Sequence, residues 1–150
     1  MIDTEPIIVL FVEDDPAHAE IAIRNLNKNN LANKIVHVDD GQLALDYLFR
    51  QGKYADPVTS PRPQLILLDL RLPKVDGLEI LARIRKNQEL STLPVVILTT
   101  SMAEKDIAQA YKYHANSYLV KPVDFAKFSD LIKSFGFFWL AFNKYPEKIE

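Results

Sequence analysis

Three carboxylates stand at the ends of apolar runs: Glu13 and Asp14 after "IIVLFV", and Asp69 after "LILL". A short apolar run bounded by turn residues reads as a strand buried on both faces. An unpartnered charge is expensive to bury, so each acid must sit at a strand's open end or have company. If the two strands are neighbours, the carboxylates converge. At an effective dielectric near 20, two such charges about 4 Å apart repel by roughly 4 kcal/mol. Either one takes a proton or a cation sits among them. A hard divalent ion, Mg2+ above all, takes carboxylate oxygens, a carbonyl and waters, and commonly bridges to a phosphate. Thr99 ends a further apolar run, "PVVILTT", and Lys121 follows "SYLV". A hydroxyl and an ammonium on the same rim suit the remaining oxygens of a phosphoryl group. A carboxylate nucleophile facing a divalent ion, with lysine and hydroxyl to hold the transferred group, is equipment for phosphoryl transfer onto Asp69.

The elements needed to position these groups alternate along the chain. "IIVLFV" reads as a strand, and "PAHAEIAIRNLNKNN" as a helix with Asp15 as N-cap and Pro16 in its first position. "KIVHV" is a strand, and "DDGQLALDYLFRQGK" a helix with Leu43, Tyr47 and Leu48 on its inner face. The proline-rich "ADPVTSPRP" is a long loop before the strand that ends at Asp69. A helix from about Leu78 to Gln88, a strand from Pro94 to Thr100 and the helix "AEKDIAQAYKYH" follow. The strand "SYLV" comes next, then a helix from about Asp124 that runs into "FGFFWLAF". Five strands each followed by a helix imply an α/β fold, a doubly wound five-stranded parallel sheet with right-handed crossovers. In such sheets the working site lies beyond the carboxyl ends of the strands at a switch point. In the flavodoxin-like order 2-1-3-4-5 that point is between the first and third strands.

Bulk properties exclude several other classes. The chain has 150 residues, 48% hydrophobic and 25% charged, enough for one domain with a full core. A net charge of −2 gives no general reason to bind nucleic acid or an anionic membrane. Without cysteine there is no disulfide or thiolate metal site, which suits a reducing cytosol. The N-terminal apolar run is only six residues long and has no basic segment before it, so neither a signal peptide nor a spanning helix is expected.

"VLFVEDD", "LILLDLRLPKVDG", "PVVILTTS" and "NSYLVKP", in this order and spacing, resemble the receiver domains of two-component response regulators. The likeness spans about residues 6–135, leaving an aromatic C-terminal helix extension over about 136–150. It implies a cytoplasmic (βα)5 protein, a single receiver domain, that takes a phosphoryl group from a sensor histidine kinase onto Asp69 and later loses it to water. The resemblance makes Glu13, Asp14 and Asp69, with the backbone carbonyl of Arg71, the ligands of Mg2+. It makes Thr99 the switch hydroxyl, Lys121 the phosphate-binding lysine, Tyr118 the aromatic whose rotamer follows the switch, and the bond before Pro122 a cis peptide. The loop "FRQGKYADPVTSPRP" and the tail "FWLAFNKYPEKIE" resemble the stand-alone receivers that partner phytochrome kinases. A phosphate sink or relay serving another kinase is the alternative. Two departures stand out: His114-Ala115 replaces the usual Gly-Ala before the fifth strand, and Thr100 is bulkier than the usual alanine, which implies slower access to Asp69.

Other readings of the same residues are weaker. Asp15 is taken as a helix cap only. His18, His37 and His114 lie on different elements without ligand spacing. A haloacid-dehalogenase-type hydrolase needs a second aspartate two residues after the first, where this chain has Arg71. Phe135, Phe138, Trp139 and Phe142 are spaced for a helix side the sheet does not cover. This points to a homodimer through the fourth helix, fifth strand, fifth helix and tail, or else to a tail folded onto its own domain.

Overall fold

The computed structural model describes residues 7–28 and 34–146. The chain alternates β1 (Ile8–Val12), α1 (Pro16–Lys28), β2 (Lys34–Val38), α2 (Gly41–Leu48), β3 (Leu65–Leu68), α3 (Gly77–Lys86), β4 (Val95–Thr99), α4 (Glu104–Lys112), β5 (Ser117–Val120) and α5 (Phe125–Gly136). The strands form one parallel sheet, as the alternation implied, in the flavodoxin-like order β2-β1-β3-β4-β5.

Continuous apolar strands are the consequence of covering both faces. On β1, β3 and β4, Leu10, Val12, Ile66, Leu68, Val95 and Ile97 point to one face, where they meet α2 and α3. Their alternates Val9, Phe11, Leu65, Leu67, Val96 and Leu98 meet α1 and α5 on the other. All residues of β1, β3 and β4 are buried, whereas the edge strand β5 is only half-buried along its length.

Local sequence sets the helix starts. Asp15 Oδ1 accepts from the N–H groups of Ala17 at 2.9 Å and His18 at 3.2 Å, ahead of Pro16 at the first position. Asp40 and Asp124 cap α2 and α5 in the same way. The inner face of α2 differs from expectation. Ala44, Leu45, Tyr47 and Leu48 are buried, while Leu43 packs only at its margin. The Asp40 cap starts the helix at Gly41, whose closeness to Val75 fixes its rotation: a Cβ there would lie 1.9 Å from the Val75 carbonyl oxygen. α3 ends at Lys86, two residues short of the expected Gln88, as Asn87 turns extended. The long loop after α2 contains a single 3-10 turn, Gly52–Tyr54. The Lys121–Pro122 peptide is trans, against the cis bond the resemblance implied; the two isomers of such a bond differ by only about 0.5–1 kcal/mol.

Beyond α5 the chain widens into a π-helical stretch, Phe137–Phe142, closed by a hydrogen bond from Asn143 N–H to Phe138 O at 2.8 Å. The change of pitch re-sorts the aromatics. Phe135 and Leu140 are buried, Phe137, Trp139 and Tyr145 pack against the same core, and the Tyr145 hydroxyl donates to Trp139 O at 2.8 Å. Only Phe138 and Phe142 of the four expected interface aromatics are well exposed, at 57% and 73%. Phe135 is therefore a core residue, because the α1–α5 layer covers the side on which it lies.

Candidate functional site

Each chemical side chain stands where a strand's ladder runs out. Glu13 follows β1; its N–H donates to Val38 O at 3.0 Å and its carbonyl accepts from His37 Nε2 at 2.8 Å. Asp69 follows β3, with its N–H on Val12 O at 3.1 Å. Lys121 follows β5, with its N–H on Thr99 O at 2.7 Å. The backbone thus fixes all three residues before their side chains contribute. Gly77 lets the start of α3 lie against Asp69, since a Cβ there would come 2.2 Å from the Asp69 carbonyl oxygen.

The side chains then converge. Glu13, Asp14 and Asp69 each offer an oxygen within 4.8 Å of the others. Lys121 Nζ lies 2.6 Å from Glu13 Oε1 and donates to Asp69 Oδ2 at 2.8 Å. Asp69 Oδ1 accepts from Leu70 N–H at 2.7 Å, and Glu13 Oε2 from Asp15 N–H at 3.2 Å. Glu13, Asp69 and Lys121 are buried, while Asp14 is exposed at the mouth.

Electrostatics follow from this crowding. Burial pushes the Glu13 carboxyl up to about 7, with the Asp69 charge adding to it and the Lys121 ammonium only partly offsetting it. Burial would lower the Lys121 ammonium, but hydrogen bonds and charge from Asp69 and Glu13 outweigh it and raise the net value. Glu13 Oε1 is buried against that ammonium at 2.6 Å. Three carboxylate oxygens within 4.8 Å of one another, two of the acids buried, are a donor set that suits a hard, oxygen-seeking divalent ion. The cluster fits Mg2+.

The remaining expected residues fall into a second network. Thr99 is buried, and its hydroxyl accepts from Ser101 N–H at 3.3 Å. The Tyr118 hydroxyl donates to Ser101 O at 2.9 Å. Ser101 Oγ donates to Asp106 Oδ2 at 2.5 Å, and the Arg71 guanidinium pairs with the same buried carboxylate. Arg71, Thr99 and Tyr118 are thus linked through Ser101 and Asp106, next to the acid cluster. The aromatic tail belongs to the α5 end, away from both networks.

Sequence reasoning missed Ser101, Asp106, the positioning hydrogen bond of His37 and the place of His18, whose Nδ1 lies 3.2 Å from Lys121 Nζ. His18 could have been found, since a cap at Asp15 puts it on the first turn over the acid rim. Nothing in the local sequence marks Asp106 among the acids of α4.

An acid cluster and a lysine on the carboxyl rim of a 2-1-3-4-5 sheet define the receiver class. The chain belongs to the response regulator receiver domain family, whose model matches residues 9–133. It is accordingly a response regulator of two-component signalling. It is 39% identical over 142 residues, 95% of this chain and 89% of the relative, to the probable methanogenesis regulatory protein FilR2 of Methanothrix harundinacea. It is 39% identical over 135 residues, 90% of each chain, to the response regulator Rcp1 of Synechocystis sp.. The crystal structure of Mn2+-bound Rcp1 superposes with a TM-score of 0.89, covering 95% of this chain and all of that one. That of the phosphorylated cyanobacterial phytochrome response regulator RcpA, 36% identical, gives a TM-score of 0.89 with the same coverage.

Proposed function

We propose that Asp69 accepts a phosphoryl group from a phosphohistidine of a sensor kinase. One observation carries the reading: Lys121 Nζ sits between Glu13 Oε1 and Asp69 Oδ2 in a buried cluster that Asp14 completes from the mouth. A carboxylate oxygen of Asp69 forms the bond to phosphorus as the phosphorus–nitrogen bond of the donor breaks and the imidazole leaves. Glu13, Asp14, Asp69 and the backbone carbonyl of Arg71 would hold Mg2+, which supplies positive charge to the phosphoryl oxygens. Lys121 keeps a second positive charge beside Asp69. The burial of Glu13, Asp69 and Lys121 limits competing water. Hydrolysis reverses the gain: water oxygen binds phosphorus, the aspartyl oxygen–phosphorus bond breaks, and phosphate departs.

The aspartyl phosphate carries about −1.5 to −2 charge, where the free carboxylate carried only one negative charge. The hydrogen bonds of Thr99 and Tyr118 to Ser101 support a role for both in reporting it to α4 and β5. A phytochrome-type kinase as partner is supported by the likeness to RcpA. We assign the output to protein contact in the cytoplasm rather than to nucleic acid or membrane, in keeping with the net charge of −2. Among the described residues no helix is long and apolar enough to cross a membrane. A homodimer through α4, β5, α5 and the tail is supported by exposed Phe138 and Phe142. Sedimentation of wild type and Phe138→Ala/Phe142→Ala tests it, and a monomer at high micromolar concentration with and without phosphate mimic defeats it.

Acetyl phosphate tests the central reaction. Label should enter wild type only with Mg2+ and should be absent from Asp69→Asn. Label that persists in the variant, or without a divalent ion, overturns the assignment.

A further inference from the structure

The Lys121 ammonium has three N–H donors and no lone pair. Its neighbours are three: Glu13 Oε1 at 2.6 Å, Asp69 Oδ2 at 2.8 Å and His18 Nδ1 at 3.2 Å. Because Nζ can only donate, Nδ1 presents its lone pair and the ring proton resides on Nε2. The imidazole is seated for this task. It rises from the first turn of α1, its centroid 5.2 Å from the Phe128 ring and 6.4 Å from the Phe125 ring of α5, with 20% of the side chain exposed.

Two of the three acceptors are committed elsewhere in the reaction proposed above. Glu13 would be a ligand of the divalent ion, and Asp69 becomes the acyl phosphate. His18 is the acceptor that neither step consumes. We propose, resting on that reading, that His18 is a positioning residue: its Nδ1 holds the Lys121 ammonium at the site while the two carboxylates change partners. A competitor faces the same nitrogen. Asp15 Oδ2 lies 3.5 Å from Nδ1, while Asp15 Oδ1 is occupied in capping α1. An Nδ1 that carried a proton would donate to Asp15 and release Lys121, so the hold requires the unprotonated nitrogen.

Two substitutions separate the acceptor from the ring. His18→Phe keeps the packing on Phe128 and removes the acceptor. His18→Asn loses the ring and keeps an acceptor at a δ atom on Cγ, where Nδ1 stands. The initial rate of Mg2+-dependent labelling by acetyl phosphate should fall about tenfold in His18→Phe, the effect of one hydrogen bond to a charged group. It should stay within about threefold of wild type in His18→Asn. Mg2+ affinity should remain within about twofold in both, because His18 is not a ligand. The ammonium signal of Lys121 in nitrogen-15 NMR of the unphosphorylated protein should broaden in His18→Phe and persist in His18→Asn. Equal rates in wild type and His18→Phe, or equal losses in both variants, overturn the proposal, the second by showing that ring packing is what matters. A wild type that takes no label overturns the phosphoryl-transfer reading instead. The lysine signal still reports the hold in that case.

Discussion

Two cations anchor opposite ends of the same sheet, and their surroundings differ in kind. At the amino ends of β4 and β5, Arg85 of α3 spends all five donors on neutral oxygens: Tyr113 O at 3.2 Å, Ser91 O at 3.0 Å, Leu93 O at 2.7 Å, His114 O at 2.8 Å and Asn116 Oδ1 at 3.2 Å. Asn116 Oδ1 in turn accepts from Val95 N–H at 2.8 Å, so the guanidinium fixes both loops that enter these strands. At the carboxyl end, Lys121 is shared between ionisable carboxylates, one of them pushed up to about 7 by burial. A cation among backbone carbonyls has partners that no ligand replaces. A cation among carboxylates can be exchanged for another cation. The first arrangement stabilises the fold; the second leaves the rim able to change its charge.

The largest expected effect breaks the Arg85 end. Arg85→Met keeps an apolar stem and removes five hydrogen bonds, so urea unfolding should show a loss of about 3 kcal/mol. Mg2+ affinity at the far rim should stay within about twofold of wild type. A loss below about 1 kcal/mol would erase the contrast between the two ends.

The rim should answer to pH instead. Glu13 rises from its ordinary 4.5 to about 7 on folding, so between these values the folded state binds more protons than the unfolded state. Its contribution is therefore fully present below pH 4.5 and is lost as pH rises through about 7, on the order of 3 kcal/mol over that window. Glu13→Gln should flatten that part of the wild-type profile and be the more stable protein at pH 8 without a divalent ion. Denaturant titrations across this range check it, and parallel profiles would show that burial of Glu13 carries no such cost.

These two ends were not equally legible in the sequence. The alternation of apolar runs and amphipathic stretches implied a parallel sheet, because both faces need cover and crossovers have one hand, while the strand order came with the flavodoxin-like receiver resemblance. Glu13, Asp14, Asp69 and Lys121 could be read because each sits at the end of an apolar run, where the chain itself marks the rim. Arg85 could not. It is one of three basic residues in the last turn of α3, and its acceptors are carbonyls that carry no sequence signal. Asp106 was hidden among the polar residues of α4 for the same reason. The tail was half-legible: an apolar helix needs a second surface, but the shift to π-helical pitch that turns Leu140 inward and leaves Phe138 out has no mark in "FGFFWLAF".

Asp14 sharpens the rim side with a smaller effect. It is exposed, so Asp14→Ala should leave stability without a divalent ion within about 0.5 kcal/mol of wild type or slightly above it. Loss of one of three clustered oxygens should nonetheless weaken Mg2+ binding about tenfold, read by calorimetry. A marked fall in melting temperature without metal would make this acid structural and the rim more like the Arg85 end.

The smallest effect lies within the saturated end itself. His114 gives its carbonyl to Arg85 and does so with φ of +62°, in the left-handed region. The receiver resemblance places glycine here, and the backbone explains why: a Cβ in this conformation meets the following carbonyl, at roughly 1 kcal/mol for most residues. Histidine is among the side chains that tolerate the region better, and its side chain is exposed, so nothing else is lost on removing it. His114→Gly should therefore relieve the strain while giving the unfolded chain more freedom, a net gain of about 0.5 kcal/mol and a melting temperature higher by about 1–2 °C. Labelling of Asp69 should be unaffected, because the change touches only a carbonyl that Arg85 already holds in place. A variant less stable than wild type would mean that the His114 side chain contributes to this end of the sheet, so that Arg85 is not its sole anchor.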